Sequence, residues 1–169
     1  MNTFIIIAIT ILVTYTAVLC VANRGIPNSL SQSVFFLPKA GAWLWTAVIG
    51  LVAAAAMPTL IEKAPEDYEF LGFLSTAGLA FVAICPLLHK EDGNGVDTSD
   101  FTYKLHTGGA ILCAVCSQIL IACCHWQILL IWAAYIVAFV LMTRGRRWPQ
   151  ATFWAEMVCF TTTFIYCLS

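Results

Sequence analysis

The sequence predicts an all-α integral membrane protein, a six-transmembrane-helix bundle with short loops. Three observations carry this: an apolar composition, six apolar stretches of membrane-crossing length, and basic residues confined to alternate loops. Of 169 residues, 61% are hydrophobic and 10% charged, and the mean hydropathy is +0.88. A soluble domain carries roughly a quarter charged residues. So few charges cannot cover so much apolar surface in water, so lipid must be the solvent for most of the chain.

Crossing a hydrocarbon core of roughly 30 Å takes about 20 mostly apolar residues in an α-helix. Residues 4–22, 42–61, 70–88, 105–124, 127–143 and 151–168 qualify. All six are continuously apolar, without the in–out alternation of a membrane β-barrel. The first run exceeds a signal-peptide core of about 7–15 residues, and no Lys or Arg precedes it. Leu19-Cys20 also lacks the small residue that lipoprotein processing wants, so the first helix is expected to be retained. His125-Trp126 is nearly all that separates the fourth and fifth runs, which predicts a tight hairpin. No pair of runs repeats another, so the sequence gives no support to an inverted-repeat transporter.

With six crossings, one side of the membrane receives Arg24, Lys39, Lys90, Lys104, Arg144, Arg146 and Arg147, and the other only Lys63. Short cytoplasmic loops are enriched in Lys and Arg. The basic loops are therefore expected in the cytoplasm, both termini outside, and the protein in the cell (inner) membrane. Glu62, Glu66, Asp67 and Glu69 then form an acidic external loop. Trp43, Trp45, Trp126, Trp148 and Trp154 fall near predicted helix ends, as expected of interfacial anchors. The basic residues lie in separate loops rather than on one face, which excludes nucleic acid as a partner. The expected partner is the lipid bilayer, with a second copy or another membrane protein as a further possibility.

Two loops invite a closer reading. Between Pro27 and Pro38, Leu30, Val34 and Leu37 recur at helical spacing among Ser29, Ser31, Gln32 and Ser33. This predicts a short amphipathic helix on the inner membrane surface, with a lid over a site as the sharper alternative. Residues 89–104 hold Glu91, Asp92, Asn94, Asp97 and Asp100, suggestive of calcium. An EF-hand needs ligands at its fifth and twelfth positions, and counting from Asp92 these are Val96 and Tyr103. A glycine-rich turn accounts for the segment.

The eight cysteines lie within or at the edges of spans rather than in external loops, so no secreted disulfide framework is expected. Cys113 and Cys116 form a C-x-x-C and are weak redox candidates. The shuttle pair of membrane thiol oxidoreductases is missing, and apolar surroundings keep a thiol inert. Three scattered histidines do not make paired haem ligands, and no H-E-x-x-H, Walker loop or G-x-S-x-G occurs. No cofactor and no metal site is expected.

Polar stripes remain. His106, Ala110, Cys113 and Ser117 follow a 4-3-4 spacing beside Gly108 and Gly109, and Thr152, Glu156, Cys159, Thr163 and Cys167 follow 4-3-4-4. Either spacing places its set on one side of a helix. A weaker stripe joins Thr3, Thr10, Thr14 and Ala17, and Gly50 with Ala54 forms a small-xxx-small pair. Such faces are expected to point into the bundle. Glu156 is the one acid well inside a span, where a charge costs about 2.5–3.5 kcal/mol at the bilayer centre and less towards the end. Its partner at the same depth is expected to be His106. Two readings stand side by side: a proton- or cation-handling pair at an inner vestibule, or a structural Glu paired with His106 or with Arg144, Arg146 or Arg147.

The stretch Gly25-Ile26-Pro27-Asn28-Ser29-Leu30-Ser31, followed by Trp43-Leu44-Trp45-Thr46, resembles small multi-span membrane proteins of bacteria and their phages. The 71–86 run and the Lys104-Leu105-His106 start of the fourth span fit the same pattern. The resemblance implies the multi-span architecture and no catalytic residues.

The functional expectation is a small transport, permeation or ligand-sensing bundle. Its ligand or ion-path candidates are Glu156, His106, Thr152, Ser117 and Thr163, around an inner vestibule. A membrane-embedded enzyme acting on lipid, with His106 and Glu156 as acid–base partners, is the first alternative. A non-catalytic partner subunit of a membrane complex is the second.

Overall fold

A computed structural model describes residues 2–31, 40–88, 101–143 and 148–169. Every regular element among them is helical: α1 (Asn2–Ala22), α2 (Ala40–Lys63), α3 (Glu69–Leu88), α4 (Phe101–His125), α5 (Leu130–Thr143) and α6 (Ala151–Leu168). Single 3-10 turns at Glu66–Tyr68 and Trp126–Leu129 lead into α3 and α5.

Five segments are long and apolar enough to cross a membrane: Thr3–Ala22, Trp43–Lys63, Glu66–Cys85, Phe101–Thr143 and Ala151–Leu168. The six expected crossings are not matched one for one. The fourth segment takes in both α4 and α5, and α5 alone has 14 residues, about 21 Å at 1.5 Å per residue. His125 leaves helical geometry at φ −145° and ψ 61°. The Trp132 indole N–H of α5 then donates to Gln118 Oε1 of α4 at 2.9 Å. Fourteen residues of straight helix would hold those positions about 21 Å apart, so α5 folds back on α4.

The core gathers Ile5, Leu12 and Leu19 of α1, Ile49, Val52 and Leu60 of α2, Leu120 and Ile121 of α4, and Phe153 and Tyr166 of α6. Helix α6 packs on α1, α2, α4 and α5, while α3 packs between α2 and α4. The tightest crossing is α3 on α4. A Cβ on Gly78 would stand 2.6 Å from the Gly109 carbonyl oxygen, and one on Gly109 would stand 2.7 Å from that of Gly78. Backbone meets backbone there, and only glycine allows it. The expected small pair on α2 does not pack this way: Gly50 has open space around it, and Ala54 is exposed.

The threonine stripe of α1 also faces outwards. Ile5, Ala8, Leu12, Tyr15 and Leu19 form the buried face, while Thr3, Thr10, Thr14 and Ala17 are exposed. The Thr10 hydroxyl donates to the Ile6 carbonyl one turn back, at 2.8 Å. A hydroxyl satisfied by its own helix needs no partner from the bundle, so a polar stripe of threonines does not mark an interior face.

Trp45 is not an interfacial anchor either. It is 2% exposed, and its indole N–H donates to the Val82 carbonyl at 3.3 Å, while the Thr46 hydroxyl donates to that of Ala83 at 2.7 Å. Pro86 explains the first contact. Having no N–H, it leaves the Val82 carbonyl without its helical donor four residues on, and the Trp45 indole of α2 supplies what α3 lacks. Trp43 and Trp126 are exposed, as interfacial residues would be.

Lys39, Lys90, Arg144, Arg146 and Arg147 lie outside the described residues, as do residues 89–100 of the calcium-like loop and the Val34 and Leu37 portion of the expected amphipathic helix, while residues 101–104 begin α4.

Candidate functional site in the α4–α6 seam

Helices α4 and α6 run parallel. Cys159 Sγ meets Ser117 Oγ at 3.9 Å and Gln118 Nε2 at 3.6 Å. Thr162 donates to Gln118 Oε1 at 3.0 Å, and the Tyr166 ring lies 5.8 Å from that of His125. The partners advance together along both helices. On this register Glu156 falls level with residues 112–114, about 10 Å along the axis from His106.

The expected His106–Glu156 pair is therefore not assembled. His106 turns to α3 and bonds the Val82 carbonyl, the same carbonyl that Trp45 reaches. Glu156 turns instead to the segment after α1. Its Oε2 accepts the Leu30 main-chain N–H at 2.6 Å, and the Ser31 side chain bonds the same carboxylate. The Ser29 and Ser31 hydroxyls are 2.9 Å apart, and the Phe153 N–H donates to the Asn28 carbonyl at 3.0 Å. Leu30 is 1% exposed, so its side chain anchors this stretch in the bundle.

Local backbone chemistry brings the segment there. Helix α1 stops in a Schellman motif: the Gly25 N–H bonds the Cys20 carbonyl at 2.9 Å and the Arg24 N–H bonds that of Val21 at 3.1 Å. Arg24 takes the left-handed φ of 53° that this motif requires. The reversal sends residues 27–31 onto the first turns of α6.

Beyond Glu156 the seam continues as a side-chain network centred on Gln118. Its Oε1 accepts from Trp132 and Thr162, and its Nε2 donates to Ser117 Oγ at 3.1 Å and reaches Cys159 Sγ. Helices α4, α5 and α6 are thereby joined through one amide. On the α3 side, Ser75 Oγ donates to the Cys113 carbonyl at 3.2 Å and lies 3.7 Å from Cys113 Sγ. At the far end Tyr166 bonds Cys124, and its hydroxyl donates to the Lys63 carbonyl at 3.0 Å.

Of the candidates read from the sequence, the structure brings Ser117 and Cys113 to the seam with Glu156. Thr152 is exposed on α6. Thr163 donates to the Cys159 carbonyl of its own helix at 2.8 Å, and its neighbour Thr162, 0% exposed, takes the place expected for it. Cys116 is buried in the core beside the seam, and both thiols of the C-x-x-C are free. Among the described residues no group of three or more His, Cys, Asp or Glu is placed to hold a metal ion.

The sequence reading missed Gln118, Thr162, Trp132 and Ser75, and it named Leu30 on an amphipathic helix or lid without its contact to Glu156. Gln118 carried a usable signal, an amide in mid-span. The Leu30 contact carried none, because it runs through the main chain. No protein-family model matches the chain, and no curated protein or solved structure shows detectable similarity to it.

Proposed function

We propose that the protein is a small permeation or ligand-sensing bundle for protons or small cations, with the α4–α6 seam as its path and Glu156 at its inner mouth. One observation carries the reading. Glu156, Cys159, Thr162 and Tyr166 of α6 face Cys113, Ser117, Gln118 and Cys124 of α4, so polar groups succeed one another along the seam between the two helices. Intramembrane acids favour function, and polar groups in lipid surroundings are costly unless partnered.

Six crossings belong to this proposal, α4 and α5 passing separately; the Trp132–Gln118 contact supports it. So does the orientation, with basic loops in the cytoplasm and both termini outside, supported by seven cations against one across alternating loops. The likeness to small multi-span proteins of bacteria and their phages enters here for its architecture alone.

The test is flux. In proteoliposomes holding a pH-sensitive dye, Glu156→Gln is expected to abolish a cation- or proton-driven signal that the wild type gives, with thermal stability maintained. Undiminished flux through the variant would sink the reading. A partner-subunit role has one observation in its favour: α5 has no buried residue and shows a broad apolar face. A stoichiometric membrane partner co-purifying with the protein would select it. The lipid-acting enzyme draws no support, since His106 and Glu156 bond elsewhere and lie about 10 Å apart along the axis.

A further inference from the structure

The geometry points to a built-in latch: residues 27–31 close the inner mouth of the α4–α6 seam by placing the Leu30 main-chain N–H on the Glu156 carboxylate, and the mouth opens when that hydrogen bond is released. The idea rests on the seam being the path, yet the latch has a readout of its own.

Three independent contacts define the closed state. The Asn28 carbonyl accepts the Phe153 N–H at 3.0 Å, fixing the segment along the start of α6. Leu30 puts its N–H on Glu156 Oε2 at 2.6 Å and its side chain out of solvent at 1% exposure. Ser31 bonds the same carboxylate from the side. Among the described residues, the acid of the proposed path is thus covered by a stretch of main chain and pairs with no cation.

Such a cover is held by hydrogen bonds, which exchange with a competing donor. The one from a main-chain N–H to a carboxylate is among the stronger, worth more than a neutral pair, and the Asn28 and Ser31 contacts add to it. The hinge lies at Arg24 and Gly25, where α1 ends: Gly25 has nothing within 4 Å of where a Cβ would stand, and Arg24 already holds a left-handed φ. A donor arriving from the inner side, such as a hydrated cation or hydronium, competes with Leu30 for the same oxygen.

The experiment compares wild-type protein with a variant in which the main-chain amide of residue 30 is replaced by an ester, keeping the leucine side chain. Both are reconstituted in proteoliposomes and treated with an apolar carbodiimide, and adducts are quantified by mass spectrometry. Glu62, Glu66 and Glu69 serve as internal references. The ester is expected to raise the labelling rate of Glu156 roughly tenfold or more, the loss of one charge-assisted hydrogen bond, with the references unchanged. Leu30→Ala, which removes the apolar anchor and keeps the N–H, is expected to move the rate the same way and serves if the ester variant does not assemble. Equal labelling of Glu156 in wild type and both variants overturns the latch. Faster labelling without a gain in flux upholds the latch and overturns the seam as the path.

Discussion

At the scale of single residues, two backbone features decide the site. Arg24 sits at a φ of 53°, a region that costs a non-glycine residue about 1–2 kcal/mol. Arg24→Gly is expected to raise stability by roughly 0.5–1 kcal/mol, read as a higher midpoint in detergent thermal melts. A β-branched substitute such as Arg24→Val is expected to lower it. The second feature is the Leu30 N–H on Glu156. The importance of Glu156 was legible from its position, an acid inside an apolar run. Its partner was not, because a main-chain donor leaves no mark in the identity of the residue that carries it. Thr162 and Thr163 show a related limit. In the run Thr161-Thr162-Thr163, one residue is a turn of about 100° around the helix, and the stripe alone placed the wrong hydroxyl against α4.

At the scale of elements, α3 depends on its neighbours for a bond it cannot make itself. Pro86 leaves the Val82 carbonyl without its helical donor, and Trp45 and His106 both turn to that oxygen. A double-mutant cycle makes the dependence measurable. Trp45→Phe is expected to cost about 1 kcal/mol in the wild type and less in a Pro86→Ala background, where the helix regains its own hydrogen bond. Equal costs in both backgrounds would show that the indole acts through packing alone. Helix existence was readable here, since apolar runs of about 20 residues admit few alternatives. Helix faces were not. In lipid a hydrophobic residue is equally at home inside or outside the bundle, so apolar periodicity loses its meaning. Polar periodicity was no safer guide, because hydroxyls that bond their own helix, as at Thr10, face outwards without penalty. The Gly78–Gly109 crossing escaped the same reasoning: Gly109 was noticed beside a polar stripe, but its mate lay on another helix.

At the scale of the whole molecule, the all-helical architecture followed from composition and run length, whereas the count of crossings turned on one hairpin. Reading His125-Trp126 as a hairpin gave six spans, while the structure holds α4 and α5 in one continuous apolar segment with a 3-10 turn at the bend. The proposed topology makes a clear prediction. Alkaline phosphatase fused after Ser169 is expected to be active outside the cytoplasm, and a fusion in the 144–147 loop inactive. The reverse pattern would mean an odd number of crossings or an inverted bundle. The α5 helix tests the same picture from another side: with no buried residue, it is held by the Trp132–Gln118 bond, by the Tyr135 hydroxyl on the Ala151 carbonyl at 2.9 Å, and by the Tyr135–Trp148 stack.

The parallel course of α4 and α6 also has an electrical side. Each helix carries about half a positive charge at its N-terminal end and half a negative charge at its C-terminal end. Side by side and aligned, two such dipoles repel, the more so where little water screens them. Helix α5 reverses direction, packs on α6 and reaches α4 through Trp132 and Gln118, so its own dipole runs against both. Helix α3, antiparallel to α4 along the Gly78–Gly109 crossing, opposes the dipole of α4 from one side, and α5 opposes that of α6 from the other.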